Sequence, residues 1–414
     1  MIEQAKNILE KHNQNEVIEI LNKLADDKKE KLANQIIKLN LSEIDILFEE
    51  LKNGYKEELL SIEPIKYSAK DKLNVIEFDK YNKLGREVIC KNKLAVVTMA
   101  GGQGTRLGHE GPKGTFMLDF EGKGKKSIFE IVAENFVNAK QEYGIEINWY
   151  IMASYENKDI TVDFFESNNY FGLNKNNIMF FVQNEIPVID ENGKVLIDEN
   201  GLIKTASNGN GGIYEVLETQ GVLSDMRSKF IEWISVSTVD NILTNPIDPI
   251  LLGLTISEGN MIASKTTKKI DANEKTGVFC KKNNKIGVIE YSEISDELRN
   301  AVDENGELLY GQANIAAHLY SMEALEKLQT TRLRYHKAHK KGAYMNKDLE
   351  VIKPEEPNLY KFEKFIFDAF EFFDDMSVLS VNRNEEFAPI KNATGNDSPA
   401  TALELYNKIK YNKF

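Results

Sequence analysis

Residues 94–114 read Leu-Ala-Val-Val-Thr-Met-Ala-Gly-Gly-Gln-Gly-Thr-Arg-Leu-Gly-His-Glu-Gly-Pro-Lys-Gly, and the fold is decided there. The first six residues, 94–99, are uncharged and mostly apolar, the pattern of a strand buried on both faces. They run into a turn holding Gly101, Gly102, Gly104 and Gly108. Glycine allows backbone angles closed to other residues and lets bare N–H groups approach an anion closely. Arg106 and Lys113 add two cations to the same loop. A strand, a row of open amides and two cations read as a phosphate site.

Spacing says which kind. The dinucleotide fingerprint G-x-G-x-x-G is satisfied by Gly102 and Gly104, but its third position is Leu107, with Gly108 one residue late. The phosphate-binding loop of nucleoside triphosphatases needs Gly-Lys-Ser/Thr, which the stretch lacks. What remains is Gly-Gly-x-Gly-Thr-Arg-Leu-Gly followed by Pro112 and Lys113.

Downstream, Ile128, Ile131, Val132 and Phe136 fall on one face of a predicted helix. Strands are predicted over 147–153 and 178–183, with a helix over 158–168 between them. This alternation marks a parallel α/β sheet, whose ligands sit beyond the strand C-termini. Gln183 lies at such a strand end, where it either caps a turn or meets a ligand. Asn192-Gly193 marks a hairpin turn. A second glycine cluster, Ser207-Asn-Gly-Asn-Gly-Gly212, opens a helix at residue 213 and suits sugar hydroxyls or a phosphate; an ordinary loop is the other reading. Residues 230–239 read as a strand ending at Asp240, which is placed either to cap the next element or to hold a hard cation such as Mg²⁺.

Beyond residue 260 the pattern changes to strands over 261–265, 277–281 and 286–291, with Asn283-Asn284 as a hairpin turn. Asn314 stands among small apolar residues, either satisfied internally or turned toward a ligand. Residues 360–373 carry six phenylalanines at largely helical spacing, and Lys364 among them needs an anion or a path to water. Residues 399–410 read as a closing helix. At the other end, residues 1–52 read as helical throughout, a bundle or arm capping the main domain, and residues 53–92 as a wrap into the first strand.

With 414 residues, 42% of them hydrophobic and 28% charged, the chain can bury a large core and divides into two or three domains. Its formal charge of −13 opposes a general nucleic-acid binder and makes locally placed cations more informative than the total. No apolar run approaches a membrane span, and the first residues lack the apolar region of a signal peptide. Cys90 and Cys280 read as buried thiols in a reducing, cytoplasmic compartment. The five histidines, His12, His109, His318, His336 and His339, form no triad or zinc pattern.

Further segments accompany the loop: Asn-Gly-Asn-Gly-Gly (208–212), Val-Asp-Asn-Ile-Leu (239–243), Glu-Tyr-Ser-Glu-Ile-Ser (290–295), Asn-Ile-Ala-x-His (314–318), Lys-Phe-Ile-Phe-Asp (364–368) and Pro-Ile-Lys-Asn-Ala (389–393). In this order the chain resembles the eukaryotic-type UDP-sugar pyrophosphorylase family, and within it the UDP-N-acetylglucosamine pyrophosphorylase branch. The resemblance implies a Rossmann-like α/β nucleotidyltransferase fold: a central mixed, mainly parallel sheet, an N-terminal helical arm over 1–60, a catalytic domain over 61–380 and a short C-terminal segment over 381–414. It implies UTP and a sugar 1-phosphate as substrates, with Mg²⁺ as cofactor. By position, Arg106 and Lys113 match the catalytic cations and Asp240 the metal ligand. Ala100, Gly101, Gly102, Gln183 and Gly209 match the uridine site, and Lys364 and Lys391 the lysines that grip phosphate. Asn210, Glu290, Asn314 and Phe370 match the sugar and N-acetyl pocket. Two departures sit near that pocket: Asn208, where relatives often carry Asp, and Ala313 in place of a glycine. Because the chain stops soon after residue 393, a monomer is expected. The same transfer with glucose or galactose 1-phosphate, and a non-catalytic nucleotide-sugar sensor, are the alternatives.

Overall fold

The computed structural model describes residues 1–53, 61–120 and 124–411. The chain forms two units. The smaller comprises the described residues within Met1–Leu59, Asn184–Gly212 and Leu333–Ile366, the larger those within Leu60–Gln183, Ile213–Arg332 and Phe367–Phe414. Residues 54–60, where the sequence places the boundary of the helical arm, lie outside the described residues.

The smaller unit begins with four helices, α1 (Ile2–Lys11), α2 (Asn15–Lys23), α3 (Asp26–Lys38) and α4 (Leu41–Asn53), as the sequence predicts. Their apolar faces do not close on themselves. Leu9, Leu21, Leu32, Ile36 and Ile44 share one core with Ile186, Ile189, Ile197, Tyr335 and Phe362 from the two later segments. At roughly 1.5–3 kcal/mol for each large side chain removed from water, this shared face holds the three stretches together. Two glutamines fix the register. Gln14 donates to the Gly193 carbonyl and accepts from the Val195 N–H, both at 3.0 Å. Gln35 does the same at Ile203. Gly193 turns at φ +75°, consistent with the expected Asn-Gly turn.

The larger unit is built on a sheet whose principal strands are β1 (Leu94–Met99), β2 (Asn148–Ala153), β3 (Ile178–Val182), β4 (Trp233–Thr238), β5 (Ile262–Lys268), β6 (Gln312–Ser321) and β7 (Ser377–Ser380). Their order across the sheet is β7-β5-β6-β4-β1-β2-β3. All neighbours are parallel except β6, which is antiparallel to both β4 and β5. Every residue of β1 and of β2 is buried, as their uncharged runs predict. The core beside them is aromatic, with Phe136 stacked on Trp149 at 4.6 Å and Phe165 edge-on to Phe129 at 5.0 Å. From β1 the chain adds β2 and β3 on one side and later places β4 on the other. The strand order therefore reverses at the β1–β4 boundary, where α/β sheets open a ligand crevice.

Four expectations need correction. Residues 53–92 hold not a mere wrap but the helix Val75–Cys90, capped by a reciprocal Asn74–Glu77 box. Its periodicity is blurred because Val75 and Ile76 are exposed at 76% and 81% and Gly85 sits inside it. Residues 360–373 are not one helix: Leu359–Glu363 is a strand paired with His336–Lys340, and Ile366–Phe372 is a 3₁₀ turn. The strand of 230–239 starts only at Trp233, after Phe230 turns at φ +57°. Cys280 is buried but Cys90 is exposed.

Candidate active site

Met99 and Thr238 are paired neighbours at the C-terminal ends of β1 and β4. The chain leaves β1 into the glycine loop and leaves β4 at Asp240, so both begin at the point where strand order reverses. Ala100 is fully buried and gives its N–H to the Met152 carbonyl at 2.7 Å. Beyond it the loop stands clear. The amides of Gly101, Gly102 and Gln103 have no hydrogen-bond partner among the described residues. Gln103 and Pro112 pair across the loop, closed by Lys113 N–H to Gly102 O at 3.0 Å and Gly104 N–H to Gly111 O at 2.9 Å. That bridge carries Lys113 back to the strand ends, where its Nζ lies 4.0 Å from the Asp240 carboxylate. Arg106 is exposed at the loop tip with no partner among the described residues.

Gln183 follows β3, and its side-chain amide lies against Gly101, where an added Cβ would come within 2.8 Å of it. Lys391 arrives from the C-terminal segment. Asn241 and Pro389 pair, and Ile390 N–H donates to the Asp240 carbonyl at 2.9 Å. Buried Asn241 supports this strap, giving an amide hydrogen to Glu386 O and accepting from Ala388 N–H, each at 2.8 Å. Lys391 Nζ is 3.6 Å from Asp397. Glu290 and Asn314 meet at Gly277: the Glu290 carboxylate lies beside its α-carbon, and Asn314 N–H donates to its carbonyl at 2.8 Å. Asn314 Oδ1 accepts from Ala316 N–H at 2.9 Å, which answers the sequence's question with an internal partner. Phe370 is fully buried, stacked on Phe279 at 6.0 Å and edge-on to His318 at 5.2 Å.

The smaller unit gathers Gly209, Asn210 and Lys364. Lys364 N–H donates to Asn208 O at 2.7 Å, Gly211 N–H to Lys364 O at 2.8 Å, and Ile366 N–H to Asn210 Oδ1 at 2.9 Å. The Lys364 ammonium lies 4.4 Å over the Tyr335 ring and 4.0 Å from Glu43 of α4.

Two buried polar groups lie off the loop. His318 is enclosed, with Nδ1 2.9 Å from the Ser264 hydroxyl, and burial pushes its pKa down to about 3, so the ring is neutral at pH 7. Lys265, 2% exposed, is ion-paired with Asp248 at 2.7 Å and with Glu386, and Lys70 joins both carboxylates at 3.1 and 2.9 Å. Burial alone would raise the Asp248 pKa, but Lys265 and Lys70 outweigh it and hold that carboxylate well below its usual range. Glu386 opens the strap to Lys391, so this quartet anchors it. Sequence reasoning missed the quartet, because its members are far apart in the chain. It also missed Asn157, buried beside the loop, whose only signal was an Asn four residues past a strand end.

Among the described residues no cluster of three or more His, Cys, Asp or Glu could form a metal cage. Asp240, just past the end of β4 and 4.0 Å from Lys113, is a carboxylate of the kind that suits a hard cation held mainly by phosphate oxygens and water.

A family model described as UTP–glucose-1-phosphate uridylyltransferase matches residues 44–405. The chain is 37% identical over 373 residues to the UDP-N-acetylglucosamine pyrophosphorylase of Saccharomyces cerevisiae, covering 87% of this chain and 78% of the yeast protein. It is similar to the crystal structure of the uridine diphosphate N-acetylglucosamine pyrophosphorylase of Trypanosoma brucei, with a TM-score of 0.83 and 29% identity over 98% of this chain and 84% of that one. A UDP-glucose pyrophosphorylase from Leishmania major shares the fold, with a TM-score of 0.69 and 18% identity over 92% and 79% of the two chains. The chain belongs to the UTP–glucose-1-phosphate uridylyltransferase family.

Proposed function

We propose that this chain transfers a uridylyl group from UTP to N-acetylglucosamine 1-phosphate, giving UDP-N-acetylglucosamine and pyrophosphate. The observation that carries the reading is the glycine loop at the β1–β4 reversal, with bare amides and with Lys113 4.0 Å from Asp240. The likeness to the yeast and trypanosomal proteins favours the acetylated sugar.

A phosphate oxygen of the sugar 1-phosphate attacks the α-phosphorus of UTP in line, and the bond to the bridging oxygen breaks, its electron pair leaving with pyrophosphate. The attacking oxygen is already ionised, so no general base or covalent enzyme intermediate is required. The obstacle is bringing two polyanions together, and preorganised cations that meet charge as it develops reduce it. Arg106 and Lys113 do this on the triphosphate, the open amides cradle it, and Lys391 adds a further cation. Gln183 reads uracil against Gly101. Glu290, Asn314, Phe370 and Asn210 serve the sugar, Gly209 the uracil and Lys364 a phosphate. Asp240 would hold Mg²⁺, which when bound neutralises phosphate charge. With two free cysteines, the enzyme suits a reducing, cytoplasmic compartment.

The same transfer to glucose 1-phosphate is the second reading, favoured by the description of the matching family. Pyrophosphate release with UTP and Mg²⁺, measured with each sugar phosphate side by side, separates the two. A preference of about tenfold or more, worth ~1.4 kcal/mol, is expected for the acetylated sugar. Equal or reversed rates move the reading to glucose or a broad range, and no release with either sugar refutes it.

A further inference from the structure

We infer that Asn157 is a positioning residue that aims the Gly102 and Gln103 amides at the phosphates of the nucleotide. The inference rests on the proposed reading of the loop as a UTP site. Asn157 occupies the N-cap of the helix Lys158–Ser167, where an Asn side chain ordinarily accepts from the first-turn amides. Here it caps nothing in that helix. Its amide nitrogen instead donates across to the Gly101 carbonyl at 3.0 Å and, at 3.4 Å, to the Gly102 carbonyl. Two carbonyl acceptors fix which way the amide faces. The cost is visible: Asn157 is 0% exposed, and its Oδ1 has no partner among the described residues. A buried acceptor left unsatisfied and a helix cap forgone are unfavourable, so the loop contact is what this residue secures.

The consequence follows from peptide geometry. In a trans peptide the C=O and the next residue's N–H point in opposite directions. Holding Gly101 O toward Asn157 turns Gly102 N–H away from the protein. Gly102 O, held by Asn157 and by Lys113 N–H, does the same for Gln103 N–H. Neither N–H has a partner among the described residues, and beyond the chain neighbours none of those residues has an atom within 4 Å of where a Gly102 Cβ would stand. The residue beneath is itself rigid: Asn157 N–H donates to Ser154 O and Oγ, both at 3.2 Å, and neighbouring Glu156 accepts from the Gln103 side chain at 3.0 Å. Two adjacent amides are thereby fixed outward before any ligand arrives.

The test is competition binding on the full chain with UTP and with uridine, which lacks phosphates. Asn157→Ala removes the donor, and Asn157→Asp puts an acceptor against two carbonyls. Each is expected to weaken UTP tenfold or more while changing uridine less than twofold. A merely structural role would weaken both alike, and that outcome, or an unchanged UTP affinity, overturns the inference. Should either variant fold poorly, the wild-type chain decides: the Gly102 and Gln103 amide resonances should move on adding UTP and stay put with uridine, and stationary resonances with bound UTP overturn it. If the wild type binds no UTP, the reading of the site falls with it; if it binds UTP and the variants match it, only the clamp falls.

Discussion

The chain has two glycine clusters that read alike, and the structure uses them in opposite ways. At 101–104 the glycines open at Gly102: among the described residues nothing beyond its chain neighbours lies within 4 Å of a Cβ placed there, and the amides of residues 101–103 are open, while a Cβ on Gly101 or Gly104 would meet the Gln183 or His109 side chain at 2.8 or 2.7 Å. At 209–212 they leave room for the chain itself. A Cβ on Gly209 would meet Lys364 O at 2.3 Å, one on Gly211 the Lys364 and Phe365 backbone at 2.8 Å, and one on Gly212 the Asn208 side chain at 2.2 Å. The amides of Gly209, Gly211 and Gly212 are all engaged, by Ser207, Lys364 and Gly209. Gly102 faces open space, whereas every glycine of the second cluster is packed against the chain. The second cluster presents no bare backbone; it is tied to the 364–366 segment through Asn210 and Lys364.

Variants can break this contrast, and the largest effect belongs to the first cluster. Lys113→Ala should lower turnover by about 10²–10³, as expected for loss of one charge-stabilising group in a transition state, with little change in thermal stability. Near-wild-type turnover would remove Lys113 from the chemistry. Next comes Gly211→Ala, whose methyl must displace backbone. It should cost ~1–3 kcal/mol of stability, read as a lower denaturation midpoint. An unchanged midpoint would mean that the 208–212 and 364–366 segments are looser than the structure shows.

The contrast also marks how far the sequence could be read. The β1 strand, the loop and Asp240 were legible because their signals are local: an uncharged run, a glycine count, a carboxylate at a strand end. The grouping of the N-terminal helices with 184–212 and 333–366 was not. Their shared core joins Leu9 and Leu32 to Ile197 and Phe362, contacts between residues more than 150 positions apart that no window of periodicity contains. The phenylalanines at 360–373 misled for a related reason. Spacings of two and three residues suit strand and helix alike, and the strand His336–Lys340 decided for strand at 359–363. The glycines of 208–212 signalled an unusual backbone without saying whether a ligand or the chain filled the space.

The stability comparison must be made above about pH 6.5, because His318 makes folding itself pH-dependent in the larger unit. Its pKa is about 3 when folded, against about 6.5 for an ordinary histidine. Below about 6.5 the unfolded chain binds a proton that the folded chain refuses, so stability falls as pH drops toward 3. Between pH 7 and pH 5 the loss should be ~2 kcal/mol, at 1.36 kcal/mol for each unit below the unfolded pKa. Depressed Asp248 contributes in the same direction at lower pH, its stabilisation being present above the unfolded carboxylate pKa and lost as acid protonates it. Denaturant midpoints of wild type and His318→Gln at pH 7 and pH 5 check this. An equal acid loss in the variant would show that other groups carry it.

Gly102→Ala has the smallest effect and discriminates most sharply. Gly102 does not have a positive φ, and its Cβ would enter open space, so alanine fits the folded backbone without strain. Replacing glycine at such a position restricts the unfolded chain, and stability should stay level or rise by ~0.4–1 kcal/mol. The same methyl, however, stands beside the open amides that the proposed function gives to the phosphates of UTP. It should raise the KM for UTP about tenfold, ~1.4 kcal/mol, while leaving the denaturation midpoint no lower than wild type. Gly211→Ala should show the reverse, a lower midpoint with UTP affinity reduced only as far as folding is. A pair of glycine-to-alanine changes separating binding from stability in opposite directions would establish that the two clusters are different devices. If Gly102→Ala instead lowered the midpoint and spared UTP binding, the open loop would be a structural turn, and the phosphate would have to be sought elsewhere in the larger unit.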